Sequence, residues 1–526
     1  MQARPGGRHV NSDRVSPGGR FTLHTGVTSS LVWLRRDLRL HDHPPLTAAL
    51  AAGGPVVLVY CVDPRDLGLA HVGGFPRVGA ARWQFLLDSL AEMRTACRAR
   101  GGELVVRVGR PEDELPAIAQ AVGAARVFHH PEIASEERAV EQAVARALVP
   151  VGARLEACGS HALLHPDDLP FAIPDLPELF TAFRQRIERL TPRAALTTPA
   201  ALPPLPPGVA PGSIPSLAEL GVTAAPPDPR ALFSPRGGEA AGLERLTSWA
   251  FDLGALGTYK QTRDGLLRAD DSSKLGPWLA LGCLSPRTVY EAVRRFEAER
   301  GASTSTYWLI FELYWRDYFR LVVAKHGDRV FHAGGLVGAR IAWRDDPAAL
   351  EAWCTGHTGF PLVDAAMREL LATGYTSNRA RQYVACFLTK HLGLDWRLGA
   401  AWFEAQLVDH DVHSNWGNWA YAAGVGNDGR GFRLFNLRKQ ALEHDTDGAF
   451  VRHWIPALAR IPADRIHHPD EVPADELAAV GVVLGRDYPR PIIELTAAVE
   501  RSRVAYEAAM AAVPRKPGQR DRRRPG

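Results

Sequence analysis

The 526-residue chain is 46% hydrophobic and 23% charged, which suits a water-soluble protein long enough for two or more cored domains. No apolar run is long enough to cross a bilayer, and the first twenty residues lack the apolar stretch of a secretory signal. A formal net charge of +4 permits an acidic partner without demonstrating one; six scattered cysteines without a C-x-x-C argue against a disulfide framework or cysteine zinc site and for reduced thiols in a cytoplasmic protein.

Residues 1–29 read as a disordered basic leader. Over 30–165, short apolar runs ("LVWLRR", "VVLVYCV", "ELVVRVG", "ARVFHH", "ARLEACG") alternate with amphipathic stretches such as "RWQFLLDSLAEMRTACRARG". That alternation predicts a parallel α/β domain. No G-x-G-x-x-G follows the first strand, so the usual dinucleotide fingerprint is absent. Residues 166–237 form a connector; twelve of the 40 prolines fall between 192 and 235, which excludes regular helix or central strand there. From 238 to 510 helical periods dominate, as in "SPRTVYEAVRRFEAER" and "PLVDAAMRELLATG", and predict an all-α domain. Residues 511–526 make a basic tail, expected to be disordered.

Three stretches can carry chemistry. In "YWLIFELYWRDYF" (307–319), Trp308, Phe311, Trp315 and Tyr318 share one helix face, normally a core pattern. Glu312 lies on the same face, and a carboxylate there must be paired, protonated or turned to a cleft. In "DDSSKLGPWLALGCLS" (270–285), hydroxyls and a lysine before Pro277 suit a helix start that could cradle phosphates, although Ser-Ser is more often only an N-cap. The stretch "DHDVHSNWGNW" (409–419) leaves three readings open: a metal site built on His410, Asp411 and His413, a polar pocket for an aromatic cofactor, or a plain interhelical loop.

Taken in order, "LVWLRRDLRLHDHPPL", "GCLSPR", "ELYWRDYFR", "GHTGFPLVDAAMREL", "NRARQYVACFL", "DWRLGAAWF" and "NWGNWAYAAGVGNDGRGFR" resemble the photolyase/cryptochrome family over nearly the whole chain. "HPDDLPF", "LPELFTAFR", "SSKLGPWLALGCLSPR" and "NWAYAAGVGND" point to its DASH branch. The resemblance leaves out the first thirty residues, the proline-rich connector and the tail.

It implies a photolyase-like fold, an α/β antenna-binding domain followed by a helical domain holding folded FAD. Phosphate contacts would fall on Ser272, Ser273, Lys274 and Leu275, with Gly276 departing from the serine common in relatives. Tyr259 and Arg263 match other flavin-side positions. Asp409 and Asp411 match paired aspartates near the flavin, Arg381 the ion-pair partner of Asp409, and Asn415 the residue facing N5; His410 and His413 become bystanders. Trp419, Trp396 and Trp343 match an electron-transfer chain from flavin to surface. Glu312, Trp315, Asn378 and Arg379 match lesion contacts. Tyr421 stands where duplex-repairing relatives carry a second tryptophan. Glu137 matches a contact to a 5,10-methenyltetrahydrofolate antenna, and Arg438 and Lys439 are candidate DNA-phosphate contacts.

The implied function is blue-light-driven repair of cyclobutane pyrimidine dimers, preferentially in single-stranded DNA, by a monomer away from membranes and with no metal. A blue-light photoreceptor with little repair activity is the second expectation, and a metal hydrolase the third.

Overall fold

The computed structural model describes residues 28–224, 226–428 and 431–514. The expected leader and tail lie outside these except at their inner ends, where the first strand begins at Ser29 and a helix runs on to Ala511.

Five apolar runs become five parallel strands: β1 (Ser29–Leu34), β2 (Val56–Val62), β3 (Leu104–Val108), β4 (Ala124–His129) and β5 (Arg154–Ala157). They lie side by side in the order β3-β2-β1-β4-β5. Val32 pairs with Leu58 on one side and with Phe128 on the other. β1 and β2 are buried along their whole length, because crossover helices such as Pro44–Ala51 and Ala80–Arg98 cover the sheet. The strand order reverses between β1 and β4. The carboxyl ends flanking such a reversal are the usual place for ligands in sheets of this kind.

The connector holds two short 3-10 turns and one α-helix, Phe180–Ile187, and among the described residues no helix or strand follows before Glu239. It is nonetheless bonded to the sheet. Edge strand β3 donates from Val106 N to Pro211 O at 2.8 Å, and Leu202 N donates to Arg100 O at 2.8 Å. Proline lacks a backbone donor but keeps its acceptor, so this segment closes an exposed strand edge without offering a new one.

From Glu239 onward the chain is helical. The longest helix, Thr304–His326, starts from a capping box in which Ser303 accepts from Thr306 N and the Thr306 hydroxyl accepts from Ser303 N. One apolar core runs from Val32 and Leu34 in the sheet through Phe85 and Trp278 to Tyr314 and Tyr318. Asp317 fixes the same docking by accepting from Leu163 N and Leu164 N, both at 2.9 Å. The fold is the expected one, a parallel-sheet domain followed by a helical part. Among the described residues no helix is long and apolar enough to cross a membrane, and all six cysteines are free.

Candidate functional site

A cavity of ≈ 470 Å³ opens in the helical part. Trp308, Phe311, Glu312, Trp315, Arg316 and Phe319 of helix Thr304–His326 form one wall. Facing them, helix Val412–Ala423 supplies Ser414, Asn415, Asn418, Trp419 and Tyr421. Asn378, Arg381 and Gln382 of helix Asn378–Cys386, with Asp409, His410 and Asp411, complete the polar side. Large aromatic faces with a few convergent polar groups are the usual make-up of a cofactor site.

The polar side is tied in place from within. Arg381 Nη2 donates to both oxygens of Asp409, at 3.1 and 2.9 Å. Asp411 caps its helix by accepting from Ser414 N at 2.8 Å. Burial alone would push the Asp411 carboxyl up, but His413, Arg316 and Arg320 outweigh it and hold that carboxyl well below the usual range. Asn415 commits its Nδ2 to Ala400 O at 2.9 Å, which fixes the carboxamide plane. Glu312 is paired with Arg263; burial pushes its carboxyl up, against the pull of that guanidinium. The sequence offered pairing, protonation or a cleft for this carboxylate, and it has both a partner and a cleft.

Ten of the residues given a role by the family resemblance meet on the lining: Arg263, Glu312, Trp315, Asn378, Arg381, Asp409, Asp411, Asn415, Trp419 and Tyr421. Arg379, next to Asn378, does not. It is bonded to Asp264 Oδ2 at 2.6 Å and Gln382 Oε1 at 3.0 Å. Tyr259, Ser272, Ser273, Lys274 and Leu275 also stay off the lining, whereas Gly276, the next residue, is on it. Arg245 gathers this turn by donating to Ser273 O at 3.0 Å and Ser272 O at 3.1 Å. Lys274 has φ 50°, left-handed for a non-glycine residue, a backbone form that gathers successive N–H groups for an anion.

Trp419 lines the cavity, Trp396 is fully buried and donates to Ala333 O at 3.0 Å, and Trp343 is half-buried. Exposure thus rises from Trp419 and Trp396 to Trp343. Two tryptophans not anticipated lie against this set: Trp353 has its ring 6.0 Å from Trp419, and Trp416 lies 5.7 Å from Trp396. Glu137 pairs at 3.0 Å with Arg36, which follows the carboxyl end of β1. Arg438 and Lys439 are exposed, with Glu471 at 2.6 Å and Glu443 at 3.6 Å.

The three proposed metal ligands do not converge. His410 lies 4.0 Å from Glu404, while His413 Nδ1 faces Asp411 at 3.7 Å and the Arg320 guanidinium at 3.3 Å, a cation where a metal would have to sit. Among the described residues the grouping with metal-ligand proximity is Asp37, His43 and His130, in the other domain. His410 also lines the cavity. Sequence reading missed Phe180, whose ring stacks on Trp315; its motif "LPELFTAFR" was visible but its partner was not.

Comparison with known proteins agrees with this architecture. Residues 30–206 match the model described as DNA photolyase, and residues 308–508 match the FAD binding domain of DNA photolyase. Cryptochrome DASH of Gloeobacter violaceus is 52% identical over 91% of this chain and 96% of its own length. The Danio rerio cryptochrome DASH is 45% identical over 88% and 89%. The crystal structure of a Synechocystis cryptochrome superposes with TM-score 0.88 at 45% identity, covering 91% of this chain and 99% of that one. A bacterial class III photolyase from Agrobacterium tumefaciens superposes with TM-score 0.82 at 32% identity, covering 94% and 100%. The chain belongs to the photolyase/cryptochrome family, in its cryptochrome DASH branch.

The residues present fit an FAD. Gly276 approaches so closely that a Cβ there would meet Asp409 Oδ2 at 2.6 Å, and a Cβ on Gly399 would meet the Trp419 ring at 2.2 Å.

Proposed function

We propose that this protein uses FAD and blue light to split cyclobutane pyrimidine dimers, preferentially in single-stranded DNA. The observation that carries the reading is one cavity joining two kinds of wall: Arg381–Asp409, Asp411 and Asn415 for a flavin edge, and Glu312, Trp315 and Tyr421 for a flat lesion. Reduced FAD, when bound, supplies the photoexcited electron.

The chain's own residues do the positioning. Asp409, Arg381 and Asn415 hold the polar edge of the ring, while Tyr259, Arg263 and the turn Ser272–Leu275 hold the rest of the cofactor. Trp419, Trp396 and Trp343 pass electrons inward from the surface. Glu312 hydrogen-bonds the damaged bases, Trp315 stacks on them, and Asn378 and Arg379 complete the contacts. A dimer must leave the base stack to enter, at a cost of roughly a few kcal/mol in duplex and less in a single strand. Tyr421 in place of a larger indole offers less stacking to offset that cost. Glu137, paired with Arg36 beside the strand-order reversal, is where a methenyltetrahydrofolate antenna would dock. Arg438 and Lys439 contact phosphates by exchanging their acidic partners for the strand. The protein works as a cytoplasmic monomer.

The test is dimer repair by purified, photoreduced protein under blue light, on single-stranded and duplex oligonucleotides with dark controls. Light-dependent loss of dimers from the single strand, with little from duplex, is the expected result. A flavin-bearing protein that repairs neither would leave the photoreceptor reading.

A further inference from the structure

The loop after β4 does not end at the sheet. Glu132 reaches from it into the helical part, with its carboxylate buried. Oε2 lies 3.6 Å from Arg320 Nη2 and Oε1 lies 3.5 Å from His161 Nε2, yet neither oxygen accepts a hydrogen bond. Arg320 carries the array onward. Its Nη1 is 3.8 Å from Asp411 Oδ2 and 3.3 Å from His413 Nδ1. Asp411 lines the cavity. One carboxylate from the α/β domain and one from the cavity thus share a single buried guanidinium.

A buried carboxylate without a hydrogen bond is costly, so its field rather than local bonding must account for it. Burial would push Glu132 up, but Arg320, Arg36 and Arg35 together hold it below the ordinary carboxylate range, so it is charged at neutral pH. Without it, Arg320 would turn its full charge on Asp411 and the cavity face.

We propose that Glu132 is a positioning residue of the cavity supplied by the α/β domain: by sharing Arg320 it holds Asp411 in register and restrains the positive field on the bound flavin. This inference rests on the flavin reading above. It assigns a cofactor-tuning role to a residue outside 308–508, the segment that matches the FAD-binding model.

The test is the ratio of reduced to oxidised flavin at a fixed solution potential, in wild type, Glu132→Gln and Glu132→Asp. Removing one negative charge favours the electron-rich form. Glu132→Gln should raise the ratio on the order of tenfold, about 1.4 kcal/mol. Glu132→Asp keeps the charge and should stay nearer wild type than Gln. Glu132→Met, similar in volume and without polar demands, should show the same rise as Gln and serves if the Gln variant does not fold. An unchanged ratio in Gln and Met, or equal shifts in Asp and Gln, overturns this inference alone. A wild-type protein that holds no flavin overturns the flavin reading and this inference with it.

Discussion

Phe180 stacks on Trp315 with ring centroids 3.6 Å apart and planes inclined by 8°. Phe180 belongs to a helix in the connector, while Trp315 lines the cavity on the longest helix of the helical part. The connector therefore backs the cavity wall as well as closing the sheet edge. An aromatic pair adds about 0.5–1.5 kcal/mol beyond the area it buries. Phe180→Leu should lower stability in urea unfolding by about 1 kcal/mol. It should also weaken dimer-containing oligonucleotide several-fold in a binding titration, with undamaged strand unaffected. A stability loss with no change in lesion affinity would mean that Trp315 needs no backing.

Gly276 sets a second close approach. A Cβ added there would fall 2.6 Å from Asp409 Oδ2 and 3.1 Å from Asp409 Cβ, so Gly276→Ala must shift the aspartate that Arg381 holds. Overpacking of this kind costs about 1–3 kcal/mol. The expected outcome is a lower flavin-to-protein absorbance ratio after purification. A full flavin complement in Gly276→Ala would show that the Asp409–Arg381 pair can move without loss.

The same contrasts show how much was legible in the sequence. The strand runs stood out because a sheet buried on both faces needs nearly continuous apolar residues; "VVLVYCV" is β2 residue for residue. The face carrying Trp308, Phe311, Glu312 and Trp315 followed from helical period alone, and all four line the cavity. Tyr318, on the same period, instead donates its hydroxyl to Glu178 O at 2.5 Å, because the end of that helix runs under the connector. Period says which residues share a face and not which of them the connector covers. Phe180 against Trp315 and Glu132 against Arg320 were out of reach for a related reason: each joins distant segments, and nothing local in either partner encodes the other.

Asp317 links the docking of the two parts to pH. Burial raises its carboxyl to about 6, against the pull of Leu164 N, Leu163 N, Arg316 and Arg320. In the unfolded chain an aspartate titrates near ~3.9. The folded state thus binds the extra proton between about pH 4 and 6. This group's contribution to stability is complete below about pH 4 and is lost as pH rises through about 6, a change of about 3 kcal/mol. Asp317→Asn cannot titrate. The stability gap between wild type and Asp317→Asn, followed by denaturant unfolding from pH 4 to 7, should move against the wild type as pH rises. A gap that stays constant across that range would mean Asp317 titrates normally.

Tyr421 is the position at which substrate preference should turn. Its ring lies 6.0 Å from Trp315, edge to face at 85°, so the two form a corner of the cavity and not a parallel clamp. In a single strand a dimer enters with little unstacking to offset, and this corner suffices. In duplex the flip costs roughly a few kcal/mol, and each stacked aromatic surface returns about 1–3 kcal/mol per base. Tyr421→Trp enlarges that surface without adding charge. Duplex repair should rise about tenfold, since ~1.4 kcal/mol is a factor of ten, while single-strand repair changes little. The measurement is the initial rate of dimer loss on both substrates under equal light, with flavin content matched between proteins. Equal gains on both substrates would point to faster electron transfer in place of easier flipping. No gain on duplex would move the barrier away from Tyr421, to the strand contacts outside the cavity.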